Sequence, residues 1–198
     1  RTVTVNPLPK NVTNGFSATI MCAGGSPQLT FDADDSTFTL AGYSITYKNE
    51  TNSQSYTVAI GTSTPFTFPA GGSPTANTGY TLVSITNGNG CTNSIVASFL
   101  DSGANLIVRP TPTLTGATQP TFACDGSGAT IDLSGLLASS TSTITYTING
   151  GSTQTVTGVV ADGSGVASFT TGVLTTANDG QTLQITGVTT TSATPNCM

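Results

Sequence analysis

The sequence lacks histidine and tryptophan and has few charged residues of either sign. Without histidine, the commonest general base is missing and a Ser-His-Asp triad cannot be assembled. Lys and Arg number 4 against 9 Asp and Glu, and charged residues make up 7% of the chain, where about 25% is usual in soluble domains. So few cations cannot neutralise a run of phosphates or hold the chain on an anionic membrane surface. We therefore predict no enzyme activity, no catalytic residues, no cofactor and no binding to nucleic acid.

The acidic residues offer only weak alternatives to that prediction. A pair of carboxylates could serve glycoside hydrolysis, but most acidic residues stand in turn contexts such as Asp162-Gly163. Asp32, Asp34 and Asp35 are closely spaced oxygen ligands of the kind that suits Ca²⁺. They lack the glycine and the distal glutamate of an EF-hand loop, so an acidic surface turn is the favoured interpretation and a calcium site the weaker one.

Long hydrophobic runs are absent as well. Hydrophobic residues make up 36% of the chain and are scattered along alternating stretches. No segment reaches the roughly 20 apolar residues of a membrane span, and no charged, apolar, cleavable leader begins the chain. We expect no membrane insertion in this segment. Because the chain starts at Arg1 rather than Met, we expect it to be a piece of a longer, processed protein.

What the chain does contain is a repeat, written in Thr, Ser, Gly and Asn. One window of the first half recurs without a gap in the second half. The matched pairs are Phe68/Phe169, Gly71/Gly172, Thr75/Thr176, Ala76/Ala177, Asn77/Asn178, Gly79/Gly180, Thr81/Thr182 and Leu82/Leu183. A period of about 100 residues has the size of a domain and is too long for a solenoid repeat. The sequence therefore predicts two tandem domains, an arrangement that more often extends a structure than catalyses a reaction.

The landmarks of the repeat set the predicted boundaries. Residues 1–6 precede a proline as residues 104–109 do, so we predict that they are the terminal strand of a preceding repeat. Residues 7–108 form the first Ig-like repeat and residues 109–198 the second, with Pro110 and Pro112 making a short, stiff linker. The second repeat has no counterpart of residues 92–108 and should lack its last strand or strands. We expect an open sheet edge there, which residues 1–5 of a neighbouring molecule could complete by strand addition.

The four cysteines occupy matching places in the two repeats, Cys22 with Cys124 and Cys91 with Cys197. The predicted pairing is one disulfide per domain, Cys22–Cys91 and Cys124–Cys197. A zinc site is the weaker alternative because the cysteines are far apart and histidine is absent, and a redox pair would place two cysteines close in sequence. Disulfides persist in oxidising compartments, so we expect an exported protein.

The secondary-structure signal is strand nearly everywhere. The clearest alternating segments are residues 44–48, 142–148, 153–159 and 181–186. Asn149-Gly150 stands between two of them and predicts a tight hairpin. Many short strands in a unit of about 100 residues favour an all-β fold of two tandem Ig-like β-sandwich domains. The immunoglobulin sequence hallmarks are missing, because there is no Trp, and Asn89 and Pro195 stand where a Tyr would precede the second cysteine.

Several residues are candidates for ligand contact or modification. Tyr43 and Tyr56 could stack on sugars if exposed, although a Tyr in a strand is more often a packing residue. Asn11 and Asn49 begin N-glycosylation triplets, which are close to chance in a Thr-rich chain. The sequence identifies no ligand-binding residue.

The motifs together resemble a known family. They are Val5-Asn6-Pro7-Leu8-Pro9, Cys22-Ala23-Gly24, Ile45-Thr46-Tyr47, Gly79-Tyr80-Thr81-Leu82 and Asn89-Gly90-Cys91. The chain is similar in them to the PKD-like or Ig-like tandem repeats of giant surface adhesins in gliding bacteria with type IX secretion. The second repeat departs from the pattern, because Gln181 stands where Tyr80 does and residues 194–197 replace the Gly-Asn-Gly-Cys turn.

The resemblance implies a gliding motility adhesin: an exported, filamentous protein at the cell surface, associated with the outer membrane. Its repeats would act as stalk and as contact surface. The implied partners are neighbouring repeats, the substratum or a surface polysaccharide, and the gliding and secretion machinery through other parts of the protein. The alternative function is a carbohydrate-binding or spacer module of a secreted multidomain hydrolase.

Overall fold

The computed structural model describes residues 1–6, 8–9, 15–32, 42–60, 65–94, 103–192 and 195–198. The chain divides into two compact units, unit 1 (Arg1–Arg109) and unit 2 (Pro110–Met198). Among the described residues the single helical element is a 3-10 turn at Thr176–Asn178, and the regular structure is otherwise β-strand. The prediction of an all-β fold is confirmed.

The described residues of unit 1 form nine strands in two sheets. They are β1 (Phe16–Ala18), β2 (Ile20–Cys22), β3 (Gln28–Phe31), β4 (Ser44–Asn49), β5 (Ser55–Ala59), β6 (Phe66–Pro69), β7 (Thr78–Thr86), β8 (Thr92–Ser94) and β9 (Gly103–Arg109). One sheet has the order β1-β3-β6, and the other has the order β2-β9-β7-β4-β5, with β8 also paired to β7. All neighbours are antiparallel except β2 and β9, which are parallel. Strand β9 therefore lies between β2 and β7.

Within unit 2, the part of the chain that the structure describes forms six strands in two sheets. They are β10 (Gly116–Thr118), β11 (Thr130–Ser134), β12 (Thr141–Ile148), β13 (Gln154–Val160), β14 (Ala167–Thr170) and β15 (Leu183–Thr190). The sheets have the orders β10-β11-β14 and β13-β12-β15. These repeat β1-β3-β6 and β5-β4-β7 strand for strand. The described residues of unit 2 form no strand equivalent to β2, β8 or β9.

Each unit has its own core, built from the inward residues of alternating strands. In β4 the burial alternates residue by residue, so that Ile45 and Tyr47 are buried while their neighbours are half-exposed. Strand β12 repeats this alternation with Ile144 and Tyr146. Alternation is the signature of a sheet with one face on the core and one toward water. The two sheets of each unit therefore pack face to face as a sandwich.

On the water-facing sides of the unit 1 sheets, threonine hydroxyls link neighbouring strands. Cross-strand pairs of Oγ1 atoms lie within hydrogen-bonding distance at Thr30–Thr67 (2.9 Å), Thr46–Thr57 (3.0 Å) and Thr86–Thr92 (2.9 Å). Such pairs stabilise neighbouring strands by about 0.2–1 kcal/mol each. The threonine-rich composition thus serves pairing between strands as well as contact with water.

A tyrosine and a glycine mark the same place in both units. The N–H of Gly71 donates to the hydroxyl of Tyr47 at 2.9 Å, and the N–H of Gly172 donates to the hydroxyl of Tyr146 at 3.2 Å. In unit 1 the hydroxyl of Tyr80 also donates to the carbonyl oxygen of Gly71, at 3.0 Å. Both peptide groups of Gly71 are thereby bound to buried tyrosines.

The pairing register corrects one part of the sequence alignment. Tyr80 lies opposite Asn49 at the end of β4, and Leu183 lies opposite Ile148 at the equivalent end of β12. The structural counterpart of Tyr80 is therefore Leu183, two residues beyond the Gln181 that the ungapped alignment indicates. The 3-10 turn at Thr176–Asn178 accounts for the shift, because the chain of unit 2 spends extra residues before its strand begins.

The strands predicted from alternation are observed within a few residues. Residues 44–48, 142–148 and 153–159 lie in β4, β12 and β13, and residues 181–186 overlap the start of β15. The predicted hairpin joins β12 and β13, and both Asn149 (φ 50°) and Gly150 (φ 68°) have the positive φ of a tight turn.

The predicted cysteine pairing is wrong. The disulfide-bonded cysteines are Cys22 and Cys197, whereas Cys91 and Cys124 are free. In unit 1, Cys22 lies opposite Arg109, the last residue of β9. Arg109 lies three residues beyond Leu106, which pairs with Thr78 at the start of β7. Cys91 lies beyond the other end of β7, where its carbonyl accepts from the N–H of Asn87.

The distance along β7 excludes the bridge from Cys22 to Cys91. The chain from Thr78 to Asn87 spans about 30 Å when extended, whereas a disulfide needs Cα atoms within about 7 Å. Unit 2 has the same geometry. Cys124 lies near Leu183 at the start of β15, and the backbone of Cys197 pairs with that of Thr190 at the end of β15. Leu183 and Thr190 are about 23 Å apart along an extended strand. Each unit therefore carries its two cysteines at opposite ends.

Candidate functional site

The described residues of unit 2 form a groove with a volume of about 720 Å³. One wall is the segment Phe122–Asp125, and the other is the segment Asn178–Leu183 at the start of β15. The floor is apolar and includes Ala129, Ile131 and Ile148. We call this feature the β15 groove.

In unit 1 the equivalent place is occupied by β9. Its residues Ala104 and Leu106 are 2% and 1% exposed and belong to the core cluster. On one side β9 pairs with Thr78–Thr81 of β7, and on the other it pairs with Ile20–Cys22 of β2. Neighbouring strands lie about 4.8 Å apart, so removing a central strand leaves a slot about 10 Å wide between its partners. The β15 groove has the position of that slot.

An asparagine shows how the segment before the strand responds to β9. In unit 1 the side-chain oxygen of Asn77 accepts from the backbone N–H of Val108 in β9, at 2.8 Å. Its repeat counterpart, Asn178, instead accepts from the backbone N–H of Thr175 (3.0 Å) and donates to the side chain of Gln181 (3.0 Å). The side chain of Asn178 thus binds within the local 3-10 turn instead of binding a neighbouring strand.

The walls of the groove leave apolar surface uncovered. Phe122 stands where unit 1 has Ile20, and its side chain is fully exposed, against 45% for Ile20. Leu183 is half-buried, whereas Tyr80, its structural counterpart beside β9, is buried. Gln181 and Thr182, which correspond to Thr78 and Gly79, are exposed and outside the strand. The groove therefore offers both a strand edge and an apolar floor.

The groove is acidic. Its lining includes Asp125 and Asp179 and contains no Lys or Arg. The carboxylate of Asp125 accepts from the backbone N–H of Thr176 at 2.9 Å, which fixes the 3-10 turn against the opposite wall. Chemically the site presents an apolar floor, an open strand edge and negative charge, and it suits an extended segment with apolar side chains at alternate positions.

The two candidate sugar-stacking tyrosines lie against the core of unit 1. Tyr56 is half-buried and stacks on Tyr47, with ring centroids 5.6 Å apart and an interplanar angle of 25°. Its ring also covers Gly71, where a side chain would overlap it. Tyr43 is half-buried and packs against the same core cluster. The structure thus places both side chains as packing residues, without a planar exposed row.

The hydroxyl groups of Tyr80 and Tyr47, which lie near Tyr56, have raised pKa values. Burial raises the pKa of Tyr80 to about 12, with a smaller contribution from the neighbouring Tyr47. Burial also raises the pKa of Tyr47, against the opposing effect of its hydrogen bond with Gly71. Both groups stay neutral at physiological pH and act as structural hydrogen-bonding groups.

The remaining predicted sites are placed only in part. Asp34, Asp35 and Asn11 lie outside the described residues, and no group of three or more potential metal-binding side chains is present within the described ranges. Asn49 is 3% exposed, and its side chain accepts from the N–H groups of Thr51 and Asn52 and donates to the carbonyl of Gly71. An amide so enclosed is unsuited to glycosylation.

The roles of Phe122 and the Asn77/Asn178 pair were missed by the sequence reasoning. Both asparagines belong to the repeated window, so their recurrence was visible, but their bonding partners depend on a strand that is distant in sequence.

Within the part of the chain that the structure describes, no helix is long and apolar enough to cross a membrane.

Comparisons with known proteins identify the fold. The chain is similar to the FN1–FN3 domains of chicken CNTN1, with a TM-score of 0.52 and 11% identity over 96% of this chain and 62% of that structure. It is also matched to a marsupial T cell receptor (TM-score 0.48, 13% identity, covering 86% of this chain and 69% of that one). A two-domain fibronectin type III segment of chicken tenascin matches at a TM-score of 0.34 and 13% identity, covering 96% and 95%.

The fold is that of the FN domains of CNTN1, a β-sandwich architecture that fibronectin type III and immunoglobulin domains share. At 11% identity the CNTN1 match shows the fold alone, and this chain spans about 62% of the length of that structure. No protein-family model matches the sequence, and no curated protein matches it either.

Proposed function

We propose that residues 1–198 are a structural and adhesive segment of a long cell-surface filament of the gliding motility adhesin type. In this proposal the protein is exported, associates with the outer membrane and is carried along the cell. The units serve as stalk and as contact surface for a substratum or a surface polysaccharide. Their partners are neighbouring repeats, and other parts of the protein engage the gliding and secretion machinery.

The observation that carries the proposal is the repetition of one sandwich topology. The orders β1-β3-β6 and β5-β4-β7 recur as β10-β11-β14 and β13-β12-β15, each around its own core. Domains of this fold are widely used as modules in cell-surface proteins. Two disulfide-bonded cysteines support export, because disulfides form and persist in oxidising compartments.

Adhesion is tested with beads that carry the 198-residue chain. The expected result is that these beads stay on glass and on polysaccharide gels under flow better than albumin-coated beads, without preference for a single sugar.

Antibodies against the chain should label intact, unpermeabilised cells. Labelling only after permeabilisation would contradict a surface location.

A glycan array separates this proposal from a carbohydrate-binding module of a secreted hydrolase. Tyr43→Ala removes the exposed part of an aromatic ring, and Tyr43→Phe keeps the ring as the matched control. Saturable binding to one class of sugar, lost in Tyr43→Ala and kept in Tyr43→Phe, would replace the adhesive proposal by the binding module.

A further inference from the structure

We propose that Asn149 is a site of spontaneous modification, at which the backbone nitrogen of Gly150 attacks the side-chain amide and turns it into a carboxylate. The site lies in the turn between β12 and β13, where Asn149 and Gly150 have φ values of 50° and 68°. The reaction consumes water and releases ammonia. The proposal depends on the geometry of this turn and is independent of which surface the protein contacts.

The conversion takes place in two steps. The Gly150 nitrogen loses its proton to hydroxide and forms a bond with the Cγ atom of Asn149, while the bond from Cγ to the amide nitrogen breaks. The departing nitrogen takes a proton from water, which regenerates the hydroxide, and it leaves as ammonia, so that a five-membered cyclic imide remains. Water then opens the imide at either of its two carbonyl groups. The products are aspartate and isoaspartate, and in isoaspartate the main chain runs through the former side chain.

Both reacting groups are accessible in the turn. Asn149 and Gly150 are exposed, and within the described residues the side chain of Asn149 and the N–H of Gly150 make no hydrogen bond. The turn is closed by the next residue, because the N–H of Gly151 donates to the carbonyl oxygen of Ile148 at 2.9 Å. Gly150 carries no Cβ, and one added there would meet no atom within 4 Å. Hydroxide can therefore reach its nitrogen.

A second Asn-Gly pair is exposed, but its attacking nitrogen is bound. Asn89 is exposed, whereas the N–H of Gly90 donates to the carbonyl oxygen of Asn87 at 2.9 Å. The Gly90 nitrogen must lose this hydrogen bond before it can attack. The net contribution of one such bond slows the reaction about two- to tenfold. Asn89 should therefore react more slowly than Asn149.

A third pair is protected at the asparagine itself. Asn87 is 8% exposed, and its Oδ1 atom accepts from the N–H groups of Asn89 (3.1 Å) and Cys91 (2.9 Å). Attack turns the planar Cγ atom into a tetrahedral centre and displaces its oxygen, which disturbs both bonds. Asn87 should therefore react the most slowly of the three. The fourth pair begins at Asn14, which lies outside the described residues.

Exposure at this place is shared by both units. In unit 1 the equivalent turn is residues 50–53, and all four are exposed. The first residue of each turn is held in the same way, because the N–H of Glu50 donates to the carbonyl of Gly79 at 2.9 Å and that of Asn149 to the carbonyl of Thr182 at 2.8 Å. Unit 1 has Glu-Thr where unit 2 has Asn-Gly. The reactive pair is therefore a feature of the unit 2 sequence placed in an exposed turn of the common fold.

The products change the charge of the turn and, in one case, the length of its main chain. Aspartate and isoaspartate both add a negative charge. Isoaspartate also adds a methylene group to the main chain between the N–H groups of Asn149 and Gly151. These two groups donate to Thr182 and Ile148, so the longer chain must displace at least one of them. We expect the pairing at the adjoining ends of β12 and β13 to loosen.

The first experiment follows the conversion of each asparagine in the 198-residue chain by peptide mapping and mass spectrometry. The chain is incubated at mildly alkaline pH, folded in buffer and unfolded in concentrated urea. In urea the pairs at Asn87, Asn89 and Asn149 should convert at similar rates, since each has the same chemistry. In buffer Asn149 should convert first, Asn89 about two- to tenfold more slowly, and Asn87 more slowly still.

The second experiment tests the attacking nitrogen and the effect of the product. Gly150→Ala places a methyl group beside the nitrogen and should slow the conversion of Asn149 in urea, where the strain of an alanine at positive φ does not arise, while Asn89 converts as before. Asn149→Asp carries the charge of the product without the added methylene group, and aspartate tolerates positive φ. Hydrogen exchange at the amides of residues 149 and 151 should be faster in the isoaspartate form than in Asn149→Asp.

Three results would overturn the proposal. The first is an Asn149 that converts no faster than Asn89 in buffer. The second is the same order and spread of rates in urea as in buffer, which would show that the fold does not select the site. The third is a Gly150→Ala chain whose Asn149 converts at the wild-type rate in urea, because the Gly150 nitrogen would then not be the attacking group.

Discussion

Replacing Gly71 by alanine should destabilise unit 1, while the same change at its repeat counterpart should not. A Cβ atom on Gly71 would fall on the ring of Tyr56, whereas a Cβ on Gly172 meets no atom within 4 Å. Neither glycine has a positive φ, so backbone conformation does not separate them. The pair Gly71→Ala and Gly172→Ala therefore isolates the effect of the tyrosine ring.

The expected loss of unfolding free energy follows from the contact that Tyr56 would lose. To admit the methyl group its ring has to leave Tyr47, on which it stacks at 5.6 Å, and such a pair contributes about 0.5–1.5 kcal/mol. Overpacking of this kind costs roughly 1–3 kcal/mol in total. We expect a loss of about 2 kcal/mol, or about 8 °C in Tm for a unit of this size. At Gly172 the lower entropy of the unfolded chain should instead stabilise unit 2 by about 0.4–1 kcal/mol.

The assay is urea unfolding followed by tyrosine fluorescence together with circular dichroism. Four of the five tyrosines lie in unit 1, namely Tyr43, Tyr47, Tyr56 and Tyr80, so the fluorescence reports mainly on that unit. Combining Gly71→Ala with Tyr56→Ala completes a double-mutant cycle. Once the ring is removed, the alanine at position 71 should cost nothing. An equal cost of Gly71→Ala with and without Tyr56 would refute the argument.

Three further predictions concern titration and thiols. Since the pKa of Tyr80 is raised from 10.0 to about 12, its contribution to the stability of unit 1 should be complete below pH 10 and lost between pH 10 and 12; Tyr80→Phe should show a smaller loss over that range in pH-dependent unfolding, and an unchanged profile would contradict this. The N–H groups of Val166 and Ser164 lower the pKa of Asp162, so its stabilising effect should be present near neutral pH and disappear on acidification; Asp162→Ala should abolish that part of the acid dependence, while Asp162→Asn should retain much of the turn. Alkylation of the folded protein followed by peptide mapping should modify Cys91 and Cys124 and spare Cys22 and Cys197; recovery of a peptide that joins Cys22 to Cys91 would contradict the structure.

Much of the fold could be predicted because strand alternation is a local signal. Residues 44–48 and 142–148 alternate in sequence as they alternate in burial, and Asn149-Gly150 adopts the positive φ values that such a dipeptide favours. These features depend on neighbours in the chain, so one sequence is enough to find them. The scarcity of basic residues and the absence of histidine are read directly from the composition.

The errors arose where the answer depends on distant pairing. The match of Cys22 with Cys124 and of Cys91 with Cys197 does not reveal that Cys22 and Cys91 lie beyond opposite ends of β7. The ungapped match of Gly79 with Gly180 concealed a two-residue shift, because a turn of 3-10 helix in unit 2 preserves the sequence while displacing the strand. For Tyr56 the sequence favours a packing role over sugar stacking, and its ring stacks on Tyr47.

The threonine pairs across the sheets bear on the conditions under which the protein can work. Hydroxyl pairs such as Thr46–Thr57 and Thr86–Thr92 carry no charge, and 4 basic residues can form few ion pairs. Screening by salt acts on charges and leaves neutral hydrogen bonds nearly untouched. The unfolding midpoint should therefore change little between fresh water and sea water, and so should the spacing of the strands. Strand pairing through neutral hydroxyl hydrogen bonds is therefore largely independent of ionic strength.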